Sequence, residues 1–103
     1  MIGYVMVGTN DLNKAISFYD EILKSLNIKR VETNSDYAAY APIEKPAEIE
    51  FYVTKPFDKE KATSGNGTQI SFVTVSRKIV DEFHKTGLKA GGKSEGSGGE
   101  RPP

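Results

Sequence analysis

The sequence contains no cysteine and a single histidine. The first absence excludes disulfide scaffolds, cysteine-ligated zinc and thiol catalysis. The second leaves no histidine pair for a metal site and no support for a hydrolytic triad. Net charge is also lacking, with 14 basic against 14 acidic side chains. Nucleic acids and anionic membranes both select a basic face, so neither is an expected partner. No apolar run approaches the ~20 residues of a membrane span. The opening Met-Ile-Gly-Tyr-Val reads as a strand rather than a signal peptide, which makes a cytoplasmic location the expectation. The length, 103 residues, suits one domain.

What is present is an internal repeat. Residues 2–19 and 67–84 read as two copies of a strand-then-helix unit offset by 65. Under that shift Val5 falls on Ile70, Val7 on Phe72, Ala15 on Val80, Phe18 on Phe83 and Leu23 on Leu88. A repeat of this kind dictates architecture before any other signal. In the first copy, 2–8 alternates as a strand, with Val5 and Val7 on one face and Tyr4 and Met6 on the other. Thr9-Asn10-Asp11 supplies cap chemistry, and Leu12, Ala15, Ile16, Tyr19, Ile22, Leu23 and Leu26 form one helical stripe. Strands follow at 29–35, 37–41 and 48–54. In the second copy 69–75 reads as a strand and Ser76 as the cap of a helix. That helix turns Ile79, Val80 and Phe83 inward and ends at Gly87. Glycine-rich residues then leave room for at most one short strand, around Lys93–Glu95. The expected organisation is module one at 1–55, a linker at 56–68 and a partial module two at 69–103. A full second copy would run to about residue 120.

Several patterns carry a sharper reading and a blander one. Glu48 and Glu50 fall on one face of a strand, about 6.5–7 Å apart, a spacing usable for acid–base chemistry but equally that of two solvated carboxylates. Residues Gly87 to Ser94 match the phosphate-loop pattern, yet they follow a helix and cannot open one, so nucleotide binding is rejected. His84 sits beside core-facing Phe83 on the helix flank, a structural position. Asn66-Gly67-Thr68 matches a glycosylation sequon and reads as a turn. Tyr4, Met6, Tyr52, Gln69 and Ser71 would share one concave face if the repeat geometry holds, and aromatic and thioether groups with a few polar atoms describe a small-molecule pocket.

The stretch from Tyr4 through Asp11-Leu12 to Phe18-Tyr19, followed by Gly67 to Phe72, resembles the vicinal oxygen chelate superfamily of glyoxalase I, bleomycin-resistance proteins and extradiol dioxygenases. The resemblance implies an α+β fold of paired βαβββ modules curled around a cleft, here with the second module truncated after its helix. It also implies metal ligands on the first and fourth strands of each module, which fall on Tyr4, Glu50, Gln69 and a fourth position at about 115. Tyr4 departs from the usual histidine or glutamine. Glu50 suits the carboxylate, and Gln69 is a weak neutral ligand. A divalent cation wants several converging oxygen or imidazole donors, so the metal site is expected to be degraded or absent.

The leading expectation is a glyoxalase/bleomycin-resistance-like protein that binds a small organic molecule through Tyr4, Met6, Glu50, Tyr52, Gln69 and Ser71, without a catalytic residue. One alternative is a metal-dependent lyase, isomerase or dioxygenase, with nickel, zinc, iron or manganese on Glu50 and Gln69 and Glu50 as the base. Another is a remnant that acts only by self-association. A short second sheet would leave an open edge, so a homodimer, with strands exchanged between chains, is the expected assembly.

Overall fold

The computed structural model describes residues 2–63 and 65–92. Helix α1, Leu12–Lys24, begins where Asp11 leaves extended backbone (φ −142°, ψ 91°) and its carboxylate accepts from the Lys14 N–H at 3.1 Å. That bond satisfies one of the amide groups a helix start leaves open. The apolar stripe then decides which side faces inward, burying Leu12, Ile22 and Leu23. Asn27, at φ 58°, reverses the chain in a conformation that asparagine tolerates better than most residues.

Four strands form one sheet in the order β1-β4-β3-β2. They are β1 (Val5–Gly8), β2 (Ile28–Thr33), β3 (Tyr37–Pro42) and β4 (Phe51–Thr54). β1 runs parallel to β4, while β4–β3 and β3–β2 are antiparallel. The tight β2–β3 turn is held by Asn34, whose side-chain oxygen accepts from the N–H groups of Asp36 and Tyr37 at 2.8 and 2.9 Å. β2 and β3 are close to their expected limits, and β1 begins three residues later than the expected 2–8. The fourth is shorter than the expected 48–54, because the Glu48 N–H donates to the Lys45 carbonyl in a turn. Glu48 and Glu50 therefore do not stand together on a strand.

The core lies between α1 and one face of the sheet. It is built from Leu12, Ile22, Leu23, Ala38, Tyr40, Phe51 and Val53. Tyr40, Leu23 and Val53 are the largest side chains fully removed from solvent. The buried Tyr40 hydroxyl donates to Asp20 at 2.9 Å, and Asp20 also receives two bonds from Arg30, at 3.0 and 3.2 Å. A polar group taken out of water is thus paired rather than orphaned.

The repeat is literal in the helices. α2, Arg77–Lys89, has the same length as α1, 13 residues, with both ends shifted by 65. Ser76, the counterpart of Asp11, caps it by accepting from the Ile79 N–H at 3.2 Å. The expected end at Gly87 is wrong: α2 continues to Lys89, and Gly91, at φ 111°, takes the left-handed position beyond the Ala90 cap. Gly92 then folds back, its N–H donating to the Gly87 carbonyl at 2.7 Å. A Cβ at Gly92 would come within 2.8 Å of that oxygen, so the close approach requires glycine. Val80, expected inward, is 42% exposed; Ile79 and Phe83 are half-buried, and α2 packs against α1.

Residues 69–75, expected as a strand, are not one. They keep the alternation, with Ile70 and Phe72 packed on the core and Val73 and Val75 each 94% exposed. A strand needs a ladder partner. β1 obtains its ladder from β4, and residues 51–54 have no counterpart among the described residues of the second unit. The short strand expected around Lys93–Glu95 lies outside the described residues.

Candidate functional site

The sheet face turned away from α1 carries the candidate site. Strand alternation places Tyr4 and Met6 of β1 and its approach there, beside Glu50 and Tyr52. The parallel register sets Met6 directly opposite Tyr52. Tyr4 and Tyr52 meet edge to face, ring centres 5.1 Å apart at 67°. Tyr4 is 55% and Met6 53% exposed, so large apolar surface stands in solvent here.

The structure adds two residues that the sequence reading left unassigned. Tyr37 of β3 stacks edge-on against Tyr52, ring centres 5.6 Å apart at 69°. Its hydroxyl donates to Glu32 at 2.6 Å. That bond holds the Tyr37 proton and raises its pKa above 10, with burial and the Glu32 charge adding in the same direction. The cause of the juxtaposition is a bulge in β2: Arg30 pairs with Tyr40, but Glu32 pairs with the next residue, Ala39, and Val31 is skipped. Arg30 and Glu32 would share a face in a regular strand. Here Arg30 reaches Asp20 on the helix side and Glu32 joins the tyrosines on the other. Ala39, small and fully buried, lies between Glu32 on β2 and Tyr52 on β4.

Two cavities flank this row. One, about 390 Å³, opens at the end of the sheet where residues 70–73 pass, and Tyr4, Glu50 and Ser71 line it together with Phe51 and Phe72. The other, about 830 Å³, lies beyond the far end of β1 and β4, with Met6, Tyr37, Thr54, Lys59 and a fully exposed Phe57 on its walls. The loop carrying Phe57 is pinned by Asn10, which exchanges two hydrogen bonds with the Ala62 backbone at 2.8 and 3.1 Å. The six nominated residues are therefore not gathered in one pocket. Tyr4, Glu50 and Ser71 share the first cavity, Met6 lines the second, and Tyr52 stands among the ring contacts between them. Gln69 donates its amide to the Ser71 hydroxyl at 3.0 Å.

Glu50 is one carboxylate, Gln69 a neutral amide engaged with Ser71, and Tyr4 a phenol that must lose its proton to bind well. Among the described residues no three His, Cys, Asp or Glu side chains gather where they could hold a metal ion. His84 is half-buried on α2.

No family model matches the chain, and no curated protein matches it. Among solved structures, the crystal structure of a glyoxalase/bleomycin resistance protein from Albidiferax ferrireducens is similar at 35% sequence identity with a TM-score of 0.79. The match covers 98% of this chain and 78% of that one. The α+β architecture, the order of its elements and identity at this level over nearly the whole length agree: the chain belongs to the glyoxalase/bleomycin resistance protein family.

Proposed function

We propose that the chain binds a small organic molecule on the open face of its sheet, without a metal of its own taking part. The observation that carries this reading is the row Tyr4, Tyr52 and Tyr37, in which both outer rings meet Tyr52 edge to face, with Tyr4 and Met6 more than half exposed and Tyr37 and Tyr52 half-buried. Aromatic rings offer a ligand large contact area with little side-chain entropy to lose. Glu50 and Ser71 at one end and Lys59 at the other supply the few polar groups that orient a bound molecule. A thermal-shift screen of small organic molecules against the wild type and Tyr52→Ala tests it. Stabilising compounds whose effect vanishes in the variant support the reading; a broad set with no such compound overturns it.

A second reading concerns assembly. Val73 and Val75 project from an extended segment that joins no strand among the described residues. Exposed apolar side chains on such a segment favour pairing with another strand, and a second copy of the chain is the partner proposed. Sedimentation of the wild type beside a Val73→Lys, Val75→Lys variant decides it. A dimer that dissociates in the variant supports self-association, and a monomer at every concentration removes it.

A further inference from the structure

We propose that the open sheet face selects an organic cation, an alkylammonium or quaternary ammonium group. This rests on the small-molecule reading above and names the ligand class for that face. Aromatic rings carry negative charge density on their faces, so rings set at steep angles to one another suit a compact cation better than a neutral or anionic group. The three tyrosines meet at 67° and 69°, and no Trp or Phe lies among these ring contacts. The charges around them agree in sign. Glu32 stands 2.6 Å from the Tyr37 hydroxyl, and Glu50 flanks Tyr4 and Tyr52 by strand register. Against these two carboxylates the strands of this face bring one cation, Lys29, opposite Ala41, while Lys55 and Lys59 line the far cavity together with the acids Asp36 and Glu60. Arg30, which would have evened the balance, lies on the helix side of the β2 bulge and is engaged with Asp20. The bulge thus separates the two charges: Glu32 stands beside the tyrosines and Arg30 on the opposite side of the sheet. The Tyr37–Glu32 bond leaves the carboxylate with unused acceptor capacity, available to an ammonium group on the rings.

The test compares choline with its neutral carbon isostere, 3,3-dimethylbutan-1-ol, in NMR titrations of the tyrosine rings. The two differ by a charge and scarcely in shape. An exposed ring–cation contact is worth roughly a 2–5-fold preference. Choline is therefore expected to shift Tyr4, Tyr37 and Tyr52 with roughly millimolar affinity, the alcohol at least about 5-fold more weakly. Tyr52→Leu keeps the bulk and removes the ring face, and choline should lose about 2–5-fold while the alcohol changes little. Tyr4→Leu, at a more exposed position, gives the same comparison should the first variant fold poorly. Glu32→Gln should weaken choline about 2–5-fold and flatten its salt dependence. Equal binding of the two probes at the tyrosines overturns the cation assignment and leaves the binding face intact. Binding of other neutral fragments there, with none for choline, does the same. No shift of these rings with any compound overturns both.

Discussion

Asp11 and Ser76 stand 65 residues apart and cap their helices identically: each side-chain oxygen accepts from the backbone N–H three residues on, at 3.1 and 3.2 Å. Each bond satisfies an amide that would otherwise be open at the helix start. Asp11→Ala and Ser76→Ala are each expected to cost about 1 kcal/mol in chemical denaturation, and the loss should be recovered largely by asparagine at either position. A negligible effect at Ser76 alone would mean that the second helix is not part of the cooperative unit.

That cooperativity runs through Phe72. Its ring lies 5.5 Å from Phe51 of the sheet and 6.0 Å from Phe83 of α2, so it joins the second unit to the core of the first. Phe72→Ala should cost about 2–3 kcal/mol. Val73→Ala, one residue on and 94% exposed, should stay within about 0.5 kcal/mol. Equal effects at the two positions would show that the alternation along 69–75 does not govern packing.

The Tyr40–Asp20–Arg30 cluster gives a test that includes pH. Tyr40→Phe removes the bond to Asp20 and should cost about 1 kcal/mol, whereas Asp20→Ala leaves the hydroxyl only the long contact to the Ile16 carbonyl at 3.5 Å, also strips Arg30 of its partner, and should cost about 2 kcal/mol. The double variant should fall short of the sum, since both changes remove the same bond. Burial foremost, and then the Asp20 bond, raise the Tyr40 pKa, and burial also raises that of Tyr19. Unfolded phenols titrate near ~10 and so lose their protons first. The unfolded chain then binds fewer protons than the folded one, and stability must fall as pH rises beyond ~10. Denaturation between pH 8 and 11 should show this fall, and Tyr40→Phe should make it shallower.

The helical repeat and the two faces of the sheet were legible in the sequence because each depends on local periodicity. Asp11, Ser76 and the stripe from Leu12 to Leu23 signal a helix without reference to anything distant. Tyr37 and Glu32 were not legible as members of the site. Their meeting depends on a skipped residue, Val31, and on a register between strands that no local pattern encodes. The end of α2 was ambiguous for a related reason. Gly87 and Gly91 both suit a helix terminus, and the Gly92 N–H bond to the Gly87 carbonyl belongs to the continued helix. For 69–75, alternation identifies the inner face but says nothing about whether a ladder partner is at hand.

Glu50 and Gln69 supply one carboxylate and one engaged amide, so chelation should leave the protein unaffected. Dialysis against a strong chelator is expected to leave the thermal midpoint where it was. A metal bound to the native state would contribute stability in proportion to its saturation. A drop of several degrees, reversed by one divalent ion and absent in Glu50→Ala, would restore the metal-dependent alternative.

The chain has five tyrosines, and the sheet divides them. Tyr19 and Tyr40 lie on the helix side, 6.4 Å apart, while Tyr4, Tyr37 and Tyr52 occupy the open face. Ring-resolved NMR during titration with a compound from the stabilising set therefore reads the binding face directly. Shifts at Tyr4, Tyr37 and Tyr52, with Tyr19 and Tyr40 unmoved, are the expected result. Shifts confined to Tyr19 and Tyr40, or none at any ring, would contradict the assignment of the open sheet face as the ligand site.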